Sequence, residues 1–249
     1  MKRTKNPAKE AEYRKRASDL VAQMTLHEKV SQMLSWAPAI ERLGIPAYNW
    51  WSEGIHGVGR AGTATVFPQA IGMAAAFDED MMEQVGNAVG VEARGKYNMC
   101  RAHGDRDIFK GLTVWAPNIN IFRDPRWGRG HETYGEDPFL TSRLGVRFVE
   151  GMQGDDPDYL QAAACAKHFA VHSGPESDRH HFNAIVSKQD LWETYLPAFR
   201  ALVKEAGVEA VMGAYNRTNG EPCCGSKTLL KDILRDKWHF DGHVTSDCW

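Results

Sequence analysis

Apolar residues recur at helical spacing in several stretches of the chain. Near the start, Tyr13, Leu20 and Met24 follow this spacing and predict a first helix. Thr25, followed three residues later by Glu28, has the capping-box pattern that begins a second helix. Helical patterns also follow the N-cap candidates Asp78, Ser187 and Ser226, and the polar loop that ends at residue 138.

Short apolar runs between these helices predict buried strands. The predicted strands are residues 112–121, 162–169, 208–213 and 243–246. Strands that alternate with helices imply a parallel sheet covered by helices, which is an α/β fold. No internal repeat or low-complexity linker divides the sequence, so we expect a single domain over residues 1–249.

Composition narrows the class of protein. The chain has 249 residues, of which 43% are hydrophobic and 25% charged, as in soluble globular proteins. Its formal net charge is -2 with both signs interspersed, so neither nucleic acid nor a membrane is an expected partner. No apolar segment follows the basic start, which predicts a cytoplasmic protein, or a periplasmic or secreted one if a leader was removed. The five cysteines lack Cys-x-x-Cys spacing and are expected to be reduced.

Polar side chains occupy the carboxyl ends of three predicted strands. Lys167 and His168 lie at the end of one, Tyr215 and Asn216 follow the next, and Asp247 follows the last. For any one of these residues alone, a structural role is the simpler interpretation. Because the C-terminal ends of parallel barrel strands share one face, the groups are expected to converge on a single pocket.

Two further segments combine aromatic residues with charges. Residues 122–138 form a long polar loop, and residues 50–57 place two tryptophans beside a carboxylate and a histidine. Such residues suit a polyhydroxylated ligand, although the loop could equally be a lid held by its own arginine–carboxylate pairs. Residues 178–181 contain adjacent histidines, which face different ways and complete no zinc spacing, so no metal is expected.

Six short motifs occur in order over nearly the whole chain. They are WWSEGIHG (residues 50–57), RDPRWGR (123–129), ETYGEDP (132–138), KHF (167–169), AYN (214–216) and SD (246–247). Together, and in this order, they resemble glycoside hydrolase family 3, the family of β-glucosidases and β-xylosidases. The resemblance implies a (β/α)8 TIM-type barrel that is incomplete at the C-terminus, with a C-terminal α/β sandwich domain absent.

The resemblance also implies roles for individual residues. Asp247 would be the nucleophile of a retaining β-glycoside hydrolase, and the positive charge of Lys167 would favour its ionised form. The acid/base residue is unknown and expected outside this chain, so Glu132 and Glu176 are guesses only. The nonreducing terminal sugar would be bound by Glu53, Arg129, Lys167, His168 and Tyr215.

The predicted function is a glycosidase of the EC 3.2.1 class in carbohydrate metabolism. The Trp-Trp-Ser-Glu form that ends at Glu53, together with residues 246–248, is closer to the β-xylosidase branch than to typical β-glucosidases. The alternatives are a β-glucosidase and an inactive sugar-binding fragment that lacks its acid/base. The expected partners are an oligosaccharide or β-glycoside substrate and the missing C-terminal domain, without a cofactor.

Overall fold

The computed structural model describes residues 3–248, which form an α/β fold. The strands are β1 (Trp36–Ala37), β2 (Tyr48–Asn49), β3 (Thr113–Val114), β4 (Ala163–Phe169), β5 (Asn183–Ala184), β6 (Ala210–Gly213), β7 (Arg217–Thr218), β8 (Glu221–Pro222) and β9 (His243–Ser246). The α-helices are α1 (Pro7–Gln23), α2 (Leu26–Ser31), α3 (Ala70–Ala74), α4 (Glu79–Ala102), α5 (Pro138–Gln153), α6 (Lys188–Asp190) and α7 (Pro197–Ala201). Wider π-helical segments cover Leu191–Tyr195, Leu202–Ala206 and Lys227–Lys237, and short 3-10 turns cover Glu41–Leu43, Gly130–Glu132, Glu176–Asp178 and Cys223–Gly225.

A four-stranded parallel sheet organises the chain. Its strand order is β3-β4-β6-β9, so these four strands lie side by side in the order in which they occur along the chain. A parallel bridge between Ser52 and Val114 brings the segment after β2 alongside β3. The predicted α/β fold with a parallel sheet is therefore confirmed, and the carboxyl ends of its strands lie on one side.

The strand predicted at residues 112–121 is much shorter than expected. Regular pairing stops at Val114, because the following Pro117 has no N–H to donate to the sheet. The chain then runs beside β4 irregularly, with a parallel bridge from Asn118 to Lys167. This course places Asn118 and Asn120 next to the end of β4, where both are buried.

The predicted helix starts are confirmed. Thr25 Oγ1 accepts from the Glu28 N–H at 3.2 Å, and Glu28 Oε2 accepts from the Thr25 N–H at 2.8 Å, so both halves of the capping box form. The apolar side chains in and just after α2 are not buried, however. The helix ends at Ser31, and Val30 and Met33 are exposed. Within residues 3–248, no helix is long and apolar enough to cross a membrane.

Helices α4 and α5 pack backbone against backbone through glycines. A methyl group at Gly86 on α4 would overlap the Phe148 carbonyl oxygen on α5, and one at Gly151 on α5 would overlap the Glu83 carbonyl. Gly86 and Gly151, one on each helix, are thus needed for this close packing. This close contact anchors α5, which follows directly on the long polar loop.

The Gly86→Ala variant should be less stable by about 1–3 kcal/mol, because the added methyl group forces the two helices apart. Gly95→Ala, on the same helix but with no atom within 4 Å of the added carbon, is the matched control. It should be more stable by about 0.5–1 kcal/mol, since alanine favours the helix. Urea unfolding of both variants checks this, and equal stabilities would contradict the packing argument.

Candidate active site

Asp247 lies directly after β9 with its carboxylate turned into the protein. The residue is only 8% exposed. Its Oδ1 accepts from the Cys248 N–H at 2.9 Å, whereas Oδ2 has no hydrogen-bond partner among residues 3–248. His168 Nε2 lies 3.5 Å from Oδ2. One carboxylate oxygen is therefore buried yet available to a ligand.

Asn120 determines which side of the His168 ring carries a proton. The Asn120 amide donates to the carbonyl oxygens of His168 and Ala170, at 2.8 and 3.2 Å. Its Oδ1 therefore faces His168 and accepts from both the backbone N–H and Nδ1 of that residue, each at 2.9 Å. Burial and the charge of Arg129 hold the pKa of His168 well below 6.5. The ring is neutral, and its Nε2 presents a lone pair towards Asp247.

Lys167 and Glu53 form a second pair at the same edge of the sheet. Lys167 Nζ lies 4.0 Å from Glu53 Oε2, and the lysine is almost fully buried. The Trp51 indole N–H donates to Glu53 Oε1 at 2.7 Å. Trp51 in turn stacks on Trp115 with ring centroids 5.1 Å apart. Two stacked tryptophans therefore fix the position of Glu53, the negative partner of the pair.

The long polar loop contributes a bidentate ion pair. Arg129 Nε and Nη2 donate to the two Glu132 oxygens at 2.8 and 2.7 Å, and Asn118 adds a bond to Glu132 at 3.3 Å. Burial raises the pKa of Glu132, but the bonds and charges of Arg129 and Lys167 outweigh it and bring the pKa to about 2. Arg126 pairs with Asp124 in the same loop. The loop is therefore held by its own ion pairs, as the lid interpretation expects.

Tyr215 lies next to Asp247 after β6. Burial and the charge of Asp247 raise the pKa of its hydroxyl above the ordinary value of 10.0, so the group is neutral and can donate a hydrogen bond. In turn, the Tyr215 hydroxyl acts to lower the pKa of Asp247. His180 from the adjacent loop packs edge-on against the tyrosine ring, with centroids 4.5 Å apart.

The sequence of this chain matches those of known proteins. Residues 16–249 match the model of the glycosyl hydrolase family 3 N terminal domain. The chain belongs to glycoside hydrolase family 3. It is 52% identical to a xylan 1,4-beta-xylosidase of Xylanibacter ruminicola over 94% of this chain and 28% of that protein. It is 47% identical to probable beta-D-xylosidase 7 of Arabidopsis thaliana, over 94% of this chain and 32% of that protein.

Solved structures show the same likeness. A GH3 exo-beta-xylosidase in complex with a xylobiose aziridine activity based probe superposes with a TM-score of 0.85 and 36% identity, over 94% of this chain and 31% of that one. A GH3 beta-glucosidase of Bifidobacterium adolescentis gives 0.77 and 34%, over 91% of this chain and 32% of that one. The family 3 chain thus spans about a third of the length of the relatives it matches.

The structure brings all six predicted site residues of this family 3 chain to one edge of the sheet. Their shared neighbourhood is shown by the contacts of Lys167 with Glu53 and of His168 with Asp247, and by the effects of the other two on the Asp247 pKa. Their catalytic roles stay predictions. The six are Glu53, Arg129, Lys167, His168, Tyr215 and Asp247.

Sequence reasoning missed several polar residues that orient this set. Asn118 and Asn120 lie in a segment predicted as a strand, and His172 follows β4 without an obvious motif. In the sequence they stand out only as polar residues within otherwise apolar runs, and this pattern does not show what each side chain contacts. The structure shows that all three are buried and hydrogen-bonded to residues of the site.

Neither guessed carboxylate suits an acid that must donate a proton. Glu132 is bound by Arg129 and has a pKa of about 2, so it is ionised at working pH. Glu176 lies on the surface and pairs with Arg179. No acid/base residue is therefore assigned among residues 3–248 of this family 3 chain.

A metal ion in this pocket would be repelled by nearby positive charges. His168, His172 and Asp247 have donor atoms within 4.8 Å of one another. However, the Arg129 guanidinium lies 3.3 Å from His172 Nε2, and Lys167 is adjacent to His168 in the chain. The arrangement fits hydroxyl groups better than a metal ion, because neutral histidines and fixed charges all bind hydroxyls.

The acid side of the pH profile should depend on Lys167. Burial raises the pKa of Asp247 above 3.8, although the charges of Lys167 and Arg129 oppose the rise. If Asp247 is the nucleophile, as the sequence predicts, only its ionised form reacts, so covalent labelling should be lost as pH falls through this raised pKa. In Lys167→Met the opposing charge is gone, so the pKa rises further and the acid limb should move to higher pH.

The measurement is the pH dependence of covalent labelling at Asp247 by 2-deoxy-2-fluoro-β-D-xylopyranosyl fluoride, in the parent chain and in Lys167→Met. Lys188→Met, which removes an exposed lysine on α6, is the control and should leave the limb in place. An acid limb that moves to lower pH in Lys167→Met would contradict the argument.

Proposed function

We propose that the chain supplies the nucleophile and the sugar-binding pocket of a retaining β-glycosidase, most similar to β-xylosidases. The observation that carries the proposal is the buried Asp247 carboxylate, whose Oδ2 has no partner among residues 3–248. A nucleophilic carboxylate needs one oxygen free to reach the anomeric carbon. Relatives named as xylosidases support the substrate class.

The proposal includes a fuller architecture than the described sheet. We propose that the sheet is part of a (β/α)8 barrel, completed outside this chain. Sequential parallel strands with helices between them support this, as does the parallel bridge of Ser52 beside β3. A C-terminal domain is also proposed, because the chain spans only 28% and 32% of two relatives.

The chemistry follows the two-step retaining mechanism. Asp247 Oδ2 would attack the anomeric carbon and form a glycosyl ester, while the leaving oxygen takes a proton from an acid supplied outside this chain. Water would then hydrolyse the ester and restore the carboxylate. Neutral His168 would accept a bond from a sugar hydroxyl at Nε2, and Lys167 and Arg129 would donate to others. These fixed groups position the sugar at little entropic cost.

A substrate that needs no protonation tests the proposal on this chain. In 2-deoxy-2-fluoro-β-D-xylopyranosyl fluoride the leaving group is fluoride, so protonation by an acid is not required. We expect one 2-deoxy-2-fluoroxylosyl group to be added, with loss of fluoride, and to be found on Asp247 by peptide mass spectrometry. Asp155→Asn, an exposed carboxylate before β4, is the control and should label normally. Labelling at another residue, or none, would refute the proposal.

The same experiment separates the two substrate candidates. The solved beta-glucosidases favour glucose as a second candidate. The corresponding fluoro-glucosyl fluoride should label more slowly if the pocket is xylosidase-like. Faster labelling by the glucosyl reagent would assign the chain to the β-glucosidase alternative.

A sugar-binding chain without turnover is favoured by one observation, the lack of an assigned acid/base residue. Calorimetry with xylose distinguishes it from the leading proposal. Binding that is lost in Lys167→Ala, without labelling in the parent chain, would support binding alone.

A further inference from the structure

His172 is a buried histidine that the proposed mechanism does not use. It follows β4 and is 1% exposed. Its ring lies beside that of His168, with centroids 4.4 Å apart, and the rings of Trp127 and Tyr215 lie 6.2 and 6.0 Å away. Its ring is thus packed among residues that surround the pocket, and both ring nitrogens face residues other than Asp247.

Asn216 determines the proton position on His172. The Asn216 amide donates to the carbonyl oxygens of Val171 and Arg217, each at 2.8 Å. Its Oδ1 therefore faces His172 Nδ1, at 3.2 Å, and can only accept. Nδ1 must carry the proton. Burial and the Arg129 charge lower the pKa of His172 to about 3, so the ring is neutral and Nε2 has no proton.

The bare Nε2 faces the Arg129 guanidinium. Arg129 Nη1 lies 3.3 Å from it, while the opposite edge of the guanidinium is bound to Glu132. Three of the five Arg129 N–H groups are thereby directed to protein acceptors. The other two have no protein acceptor among residues 3–248 and can bind a ligand, in a plane that Glu132 and His172 fix from both sides.

We propose that His172 is a positioning residue that orients Arg129 for sugar binding, with its tautomer set by Asn216. The inference rests on the proposed function, because it assigns Arg129 to the sugar hydroxyls. His172 touches neither Asp247's reacting oxygen nor the leaving group in this mechanism. Its loss should therefore weaken binding of the sugar more than it slows attack by Asp247.

Two substitutions separate the hydrogen bond from ring packing. His172→Phe keeps an aromatic ring but has no acceptor, and His172→Gln keeps an acceptor oxygen. In calorimetric titrations with xylose, we expect His172→Phe to bind about tenfold more weakly than the parent and His172→Gln within about threefold. At saturating fluoro-xylosyl fluoride, the labelling rate of both variants should stay within about threefold of the parent.

A double-mutant cycle tests whether the effect passes through Arg129. In an Arg129→Met background, His172→Phe should cause no further loss of xylose affinity. Thermal unfolding of each variant shows whether it is folded. The proposal would be overturned if folded His172→Phe bound xylose as tightly as the parent, or if His172→Phe and His172→Gln lost equal affinity. It would also be overturned by an additive loss of affinity in the double variant.

The tautomer gives a measurement that does not depend on glycosidase activity. Histidine 15N NMR shifts of the parent chain should show His172 with a protonated Nδ1 and a bare Nε2 from pH 5 to pH 8. A protonated Nε2 would overturn the positioning role. If the parent neither binds xylose nor is labelled while this tautomer is observed, the proposed function has failed and the sugar-binding role of Arg129 fails with it.

Discussion

Asp247→Asn is expected to lower the rate of covalent labelling by roughly 10⁶-fold, the scale seen when a nucleophile is removed. The amide is nearly the same size as the carboxylate but cannot attack the anomeric carbon. Because Oδ2 has no hydrogen-bond partner among residues 3–248, the substitution breaks no bond at that atom. Folding should therefore survive while chemistry is lost. The measurement is the labelling rate by intact-protein mass spectrometry.

Xylose binding separates a chemical defect from a collapsed pocket. Calorimetry should show that Asp247→Asn still binds xylose, since the sugar hydroxyls are held by other residues. Labelling of the variant at the parent's rate would show that another group is the nucleophile. Loss of both binding and labelling in an unfolded variant would instead show that the buried carboxylate has a structural role.

Glu132→Gln is expected to be the most destabilising substitution at the site, at about 3 kcal/mol at pH 7. The pKa of Glu132 is about 2 in the folded protein against 4.5 ordinarily, so its carboxylate stabilises the fold above pH 4.5. That contribution is lost as pH falls from 4.5 towards 2. The difference between the parent and Glu132→Gln should shrink over the same range, as measured by urea unfolding at several pH values.

Glu12→Gln provides the matched comparison. Glu12 pairs with Lys9, which also lies three residues away in the chain, but this pair is exposed. Its removal should change the free energy of unfolding by less than about 0.5 kcal/mol at any of these pH values. A loss as small as this in Glu132→Gln would mean that the Arg129 pair is solvated rather than structural.

The strand ends were predictable from the sequence because they combine two strong signals. Apolar runs such as residues 243–246 predict buried strands, and an acidic residue directly after one must be held by nearby polar groups. Parallel connection then brings the ends of different strands together. The sequence therefore predicts that Lys167, His168 and Asp247 share one pocket, and the 3.5 Å distance between His168 Nε2 and Asp247 Oδ2 agrees with this.

The residues that orient these groups were not predictable, for a physical reason. Asn120 and Asn216 act through amides whose direction is set by backbone carbonyls elsewhere in the fold. A sequence shows which side chains can donate and accept, but not which carbonyl oxygens will face them. The exposed Met33 illustrates a related limit, since an apolar pattern does not state what covers it.

His168 Nε2 and Asp247 Oδ2 face each other at 3.5 Å, and this arrangement affects which compounds would bind between them. Both atoms accept hydrogen bonds, so a single donor placed between them would satisfy two acceptors at once. A sugar mimic with an N–H group at this position would supply that donor. Compounds of that kind should bind more tightly here than analogues of the same shape that lack the N–H group.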